Sequence, residues 1–333
     1  MSARSRPKKK RKNNRPSRDE AATESLDVLL AKAVRSWQPL VEATDPLEAE
    51  IFGSEFLDVL SESGDVGAYE PEPALLSDVL DFAARVASPA AVALARGLAA
   101  VSTTEKQRSL ATDVAEALVV AGLPDPAWAS AVGRPTPGRS WTMSDAYGDA
   151  ANVAVEFGYG DDRHLLMAWI DFNLFGGWAK DVFVAWEPEE TLDTLRRAAA
   201  DSDGLLKVAE TDTQDAIGLI RRAIAAADLL PGSGGDSTFR SYRALALARC
   251  RLFPETEEIQ PDDDVAEIPA AERTRITAEF LASEHARDLP DAAERCAELL
   301  IEYGCEYDQG KPLRVSPTKM AGFLHGWLPH QKP

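Results

Sequence analysis

"ANVAVEFGYGDDRHLLMAWIDF", residues 151–172, decides the fold class, because here a chain that reads as helical on both sides changes to an extended period. Residues 152–159 and 164–172 read as strands, and Gly160, Asp161 and Asp162 between them supply the turn. A third strand is expected over 179–186, after a loop containing Gly176-Gly177, so both connections are hairpins. Pro188 then opens a helix, residues 205–209 suggest a short strand, and Asp212 or Thr213 caps a helix running to about residue 229. The order β-β-β-α-β-α describes a small α+β domain, residues 139–230, with a largely antiparallel sheet. "GRPTPGRS", residues 133–140, is a linker by composition.

Upstream, residues 21–132 form a helical domain. Leu26, Leu29, Leu30, Ala33, Val34 and Trp37 fall on one helical face, and Pro39 stops the segment. Asp45 is a fitting N-cap with Pro46 at the first helical position, and Leu47, Ile51, Phe52, Phe56, Val59 and Leu60 make the expected buried stripe. Further helices are predicted at about 74–87, 89–101 and 105–121, opened in the last two cases by Ser88-Pro89 and a Thr104…Gln107 capping box. No internal repeat is visible, so an irregular bundle is expected rather than a solenoid. Downstream, "PGSGGDS", residues 231–237, is a second linker, and residues 238–333 read as helical: about 238–252, 270–286, 291–303 and 317–327, with "PETEEIQPDDD" from Pro254 as an acidic spacer. The fold class is therefore α+β and mostly helical, with a small antiparallel-sheet module between two helical regions.

With 333 residues, 45% of them apolar, the chain can bury a real core. It lacks both a membrane-length apolar run and the apolar block of a secretory signal, so it reads as soluble and cytoplasmic, with no membrane partner. Cys250, Cys296 and Cys305 have neither CxxC spacing nor an even number, which argues against a disulfide scaffold and a zinc knuckle.

The net charge of −19 conceals two opposed regions. Residues 1–18 carry nine cations and no acid, whereas the remainder, with 27 basic and 55 acidic residues, stands at −28. Polyanion binding is thus confined to the arm, through Lys8, Lys9, Lys10, Arg11 and Lys12 of "PKKKRK". Residues 1–20 are expected to be a disordered basic tail. PKKKRK resembles a short nuclear import signal, but beyond the tail arginine outnumbers lysine 20 to 7, as expected of a GC-rich bacterial genome, where that address has no reader.

The segment Trp141–Trp186 holds ten of the 24 aromatics, a density that invites a base-stacking sheet. Arg163 and Lys180 face seven acids there, so core packing is the better reading. "YGDD", Tyr159–Asp162, looks like the metal-binding turn of RNA-templated polymerases, but the upstream chain is helical and supplies no partner strand. His164 and Asp171 are seven residues apart on one strand, hence on opposite faces, and do not form a dyad. Asp171 and Asp181 are brought near each other by the second hairpin, with Lys180 to balance them. They are the candidates for a metal-assisted or acid/base site, with Mg²⁺ or Mn²⁺ as the metal in that alternative and no cofactor otherwise. "GSGGDST", Gly232–Thr238, follows a helix and lacks a Gly-Lys-Ser/Thr ending, so it is a linker rather than a phosphate loop.

The C-terminal run with Phe323, Leu324, Trp327, Leu328 and Pro329 resembles the ends of an uncharacterised actinobacterial protein family. The resemblance covers about a dozen residues and implies no activity. The residues point to a non-catalytic cytoplasmic scaffold or interaction protein with an unknown protein partner and a basic arm for nonspecific nucleic-acid association. The alternative is a metal-assisted enzyme using carboxylates of the central sheet.

Overall fold

The computed structural model describes residues 18–61, 69–173, 176–229, 237–254, 268–290, 292–308 and 310–331. The basic arm with Lys8–Lys12, the acidic spacer over 255–267 and most of the 231–237 linker lie outside the described residues. Residues 18–20, expected in the tail, already belong to α1 (Arg18–Arg35).

After α1 come a 3₁₀ turn (Gln38–Val41), α2 (Pro46–Ser61), α3 (Pro73–Val86), α4 (Pro89–Val101) and α5 (Glu105–Val120). Three of these starts are capped by a neighbouring side chain. Asp45 Oδ1 accepts from Leu47 N at 2.8 Å, Ser88 Oγ accepts from Ala91 N, and Thr104 and Gln107 form a reciprocal capping box. The α4 sequence is apolar on nearly every side, so it becomes the centre of the bundle: Ala90–Ala95, Leu98 and Val101 are all buried. Trp37 packs edge-on against Phe52 and Phe56, with ring centroids at 4.9 and 5.8 Å, and Trp128 Nε1 donates to Leu40 O at 2.8 Å. The expected stripes need correction at their margins, because Leu26, Leu29 and Val59 are exposed.

The sheet contains β1 (Thr136–Asp145), β2 (Ala150–Tyr159), β3 (Asp162–Asp171), β4 (Trp178–Ala185) and β5 (Leu206–Thr211) in the order β4-β3-β2-β1-β5, antiparallel throughout. The β1 strand overturns the linker reading of residues 133–140. Its first residues pair with β2, Thr136 opposite Gly158 and Pro137 opposite Phe157, with a bulge between Pro137 and Ser140. β5 covers β1 only from Ser140 onward, so Pro137 sits where β1 is still an edge and its missing N–H costs no rung. Gly160, at φ +65°, is the first residue of a two-residue turn closed by the Tyr159–Asp162 pair.

Two helices connect the last strands: α6 (Pro188–Ala200) and α7 (Thr213–Asp228), the latter capped by Asp212 as expected. One sheet face, with Trp141, Ala154, Leu165 and Met167, packs under Leu192 of α6. The other, with Val153, Val155, Phe157, Leu166 and Ile170, packs on Ile217, Ile220 and Ile224 of α7. The same core takes in Phe239, Ala246 and Cys250 of α8 (Ser237–Cys250), while Ala244 and Ala248 enter the helical core and Leu245 meets Leu47 and Val184. The sequence reading groups α8 with the C-terminal helices; in the fold it is the element that fills the seam between the N-terminal bundle and the sheet.

The remaining helices are α9 (Ala270–Ala282), α10 (Ala293–Glu306) and α11 (Pro317–Ala321), the last continuing into a π-helical turn over Gly322–Trp327. Their buried apolar residues, Ile301 and Phe323, belong to none of the cores shared by the bundle and the sheet.

Candidate functional site: an arginine receptor at the end of the sheet

The β1–β2 turn is built by one carboxylate. Asp145 accepts from Tyr147 N at 2.7 Å, Asp149 N at 3.2 Å and Ala150 N at 2.6 Å, and Gly148 supplies the left-handed residue at φ +71°. This fixes the Asp149 carboxylate and the Gly148 carbonyl beside the end of β3. There Phe172 N donates to Asp149 O at 2.8 Å and ties the two connections together.

Asp171 ends β3 and orients the next polar side chain. Its Oδ1 accepts from both Asn173 N and Asn173 Nδ2, at 2.9 and 2.8 Å, while Lys180 Nζ lies 3.3 Å from its Oδ2. With its NH₂ turned to Asp171, the Asn173 amide presents Oδ1 outward. Lys180 itself sits over the Trp169 ring, 4.9 Å from the centroid. Asp181 lies elsewhere: it stands opposite Trp169 whereas Asp171 stands opposite Trp178, and the register shifts between Trp169 and Ile170. The pairing leaves the two carboxylates two rungs apart, and Asp181 Oδ1 accepts from Val182 N at 2.8 Å. Among the described residues no group of three or more His, Cys, Asp or Glu side chains is arranged to hold a metal ion.

The acceptors so arranged receive Arg314. Its Nη1 donates to Asp149 Oδ1 at 2.6 Å and to Gly148 O at 3.4 Å, and its Nη2 donates to Asn173 Oδ1 at 3.2 Å. The same guanidinium is held from its own side by Asp308, which accepts from Nε at 3.0 Å and also from Nη2. Asp308 in turn pairs with the buried Lys319 at 2.8 Å, and Lys319 Nζ donates to Lys311 O. Burial opposes the charge on Arg314, but Asp308 and Asp149 outweigh it and raise its pKa above the ordinary arginine value. The arrangement recognises a planar, multiply donating cation, for which arginine is suited and lysine is not.

A second polar centre lies inside the molecule, where α2, α8 and the sheet meet. Arg249 donates to Glu50 through both terminal nitrogens, at 2.9 and 2.5 Å, and Gly133 N donates to Glu50 Oε1 at 3.0 Å. The guanidinium lies over the rings of Phe157 and Tyr159, at 5.4 and 5.9 Å. His164 Nε2 faces Arg249 Nη2 at 3.5 Å. A guanidinium can only donate, which makes Nε2 the acceptor and assigns the proton to Nδ1. Burial, assisted by Arg249, lowers the His164 pKa to about 3, and burial with the neighbouring Glu50 carboxylate raises that of Tyr159. Beside this centre an open cleft of about 590 Å³ is lined by Asp45, Arg134, Thr136, Tyr159 and Asp162. The YGDD turn therefore forms the rim of a polar cleft, with its tyrosine packed beside Arg249. His164 and Asp171 lie at opposite ends of β3, as the strand spacing requires.

Glu50 and Arg249 carried no distinctive signal in the sequence, since Glu50 stands two residues from Glu48 and Arg249 two residues from Arg251. Arg314, Asn173 and Asp149 carried none: they lie in connections, and only the fold assembles them. Trp141 and Trp178 are buried as the core reading expects, while Trp169 and Trp186 are exposed. No helix among the described residues is long and apolar enough to cross a membrane. No protein-family model, curated protein or solved structure matches the chain.

Proposed function

We propose that the protein is a non-catalytic cytoplasmic scaffold or interaction protein whose basic arm tethers it to nucleic acid. The observation that carries this reading is the employment of the sheet-end side chains: Lys180 on Asp171, Asp171 on Asn173, and Asn173 with Asp149 on Arg314. These groups, which include two of the sequence's candidates for chemistry, hold one part of the chain to another. The charge distribution supports the tether, because residues 1–18 carry nine cations and the acidic remainder, at −28, repels phosphate.

The test is fluorescence anisotropy with a single-stranded oligonucleotide, on the full chain and on a chain lacking residues 1–17. With about five cations engaged, log K for the full chain falls against log salt with a slope of roughly −3 to −4, and the shortened chain does not bind. Binding that survives the deletion, or that ignores salt, would place the site in the body and refute the tether.

A further inference from the structure

We propose that the sheet end formed by Asp149, the Gly148 carbonyl and Asn173 is a general receptor for arginine side chains, that Arg314 is its resident and displaceable occupant, and that the competing occupant is the arginine-bearing N-terminal arm of the same chain. The inference deepens the scaffold reading and rests on it. Three observations carry it.

First, the receptor is complete without the C-terminal helices. Asp145 holds Asp149 and Gly148, and Asp171 holds Asn173, through bonds made within residues 145–173. Lys180 on β4 supports Asp171 from the same sheet. The three acceptors therefore persist when Arg314 leaves, and leaving them unpaired in a partly buried place is unfavourable. Another guanidinium restores the same bonds.

Second, the resident is held narrowly. Among the described residues, Arg314 joins the α9–α11 region to the sheet through hydrogen bonds to Gly148, Asp149 and Asn173, and Ile301 and Phe323, buried in that region, lie outside the shared cores. A charge-assisted side chain therefore supports a docking to which no shared apolar core among the described residues contributes, and such a contact yields to a rival at high local concentration.

Third, the rival has the matching chemistry and reach. Arg4, Arg6, Arg11 and Arg15 precede α1, and the body they face is strongly acidic. Arg4, the farthest of these arginines, stands fourteen residues before α1, which gives it a reach of up to about 46 Å over the surface of a body roughly 50 Å across. Lysines of the same arm add long-range attraction but do not reproduce the fork geometry.

The experiment follows the Gly148 backbone amide and the Asn173 side-chain amide by NMR, in the full chain with its own Arg4, Arg6, Arg11 and Arg15 replaced by lysine, while a free peptide of residues 1–17 is added. A second peptide has its four arginines replaced by lysine. The native peptide is expected to shift both signals, the lysine peptide to bind at least tenfold more weakly, and Asp149→Asn to abolish the response. Arg314→Lys, which keeps the charge but loses the fork, should strengthen peptide binding by tenfold or more. Equal affinity of the two peptides, an unchanged response in Asp149→Asn, or no response in Arg314→Lys would each overturn the proposal. Failure of the scaffold reading is separable: a receptor that binds the peptide in a chain whose Asp171 or Asp181 also binds Mn²⁺ would retain the receptor and refute the non-catalytic assignment.

Discussion

Glu50 and Arg249, 199 residues apart in the chain, form a bidentate pair whose side chains are 0% and 1% exposed. The pair joins α2 to α8 next to the sheet, and Arg249 is also covered by the Phe157 and Tyr159 rings. Burial disfavours the charge on Arg249, and Glu50 more than restores it, raising its pKa. Its Nε has no hydrogen-bond partner among the described residues, so the pair is not fully satisfied there.

Removing one member leaves a buried charge without its counter-ion. Glu50→Gln is expected to cost about 3–5 kcal/mol in urea unfolding. The double replacement Glu50→Leu with Arg249→Met should cost less than either single change, because no ion is then stranded. A double variant as unstable as the sum of the singles would mean that packing at this seam, not charge, dominates.

His164 sets an acid limit to stability. Its folded pKa, about 3, lies below the ordinary value of 6.5, so its unfolded form takes up the proton first. The stability associated with the neutral ring is fully present above pH 6.5. It declines as pH falls from 6.5 towards 3, by up to about 1.4 kcal/mol per pH unit. His164→Gln should flatten this part of the profile when unfolding free energy is measured from pH 7.5 to 4. An unaltered slope would assign the acid limb to other groups.

At the sheet end, Asp171→Ala removes the acceptor that fixes the Asn173 amide and leaves Lys180 without its carboxylate. A loss of about 1–2 kcal/mol is expected. In the parent, Mg²⁺ and Mn²⁺ should leave the unfolding midpoint unchanged. A metal bound at about 100 times its dissociation constant would add roughly 2.7 kcal/mol, and a gain of that kind, lost in Asp171→Asn and Asp181→Asn, would establish the enzyme alternative.

Gly97 tests the packing of the bundle. A Cβ built there would fall within the van der Waals shell of the Trp37 ring, which is itself fully buried between Phe52 and Phe56. Gly97→Ala should therefore destabilise by about 1–3 kcal/mol, although alanine is the better helix former by roughly 1 kcal/mol. Calorimetry showing a stabilised protein would mean that the indole shifts freely.

Local signals in the sequence determined most elements of this protein, because their causes are local. Thr104 and Gln107 cap α5 within one turn, Asp212 caps α7, and Gly160 turns β2 into β3, each using neighbours a few residues away. The opposed charges of arm and body were equally plain from composition. What the tertiary structure alone decided are relations between distant segments. Pro137 looks like a linker residue until β5 is seen to stop short of it, and α8 has apolar residues on all sides because two cores compete for it. Asp171 reads as a catalytic carboxylate until the register sets it opposite Trp178, two rungs from Asp181, with Asn173 and Lys180 on its oxygens. Strand register sets that geometry, and register depends on cross-strand pairing and packing over the whole sheet, which no short window of sequence contains.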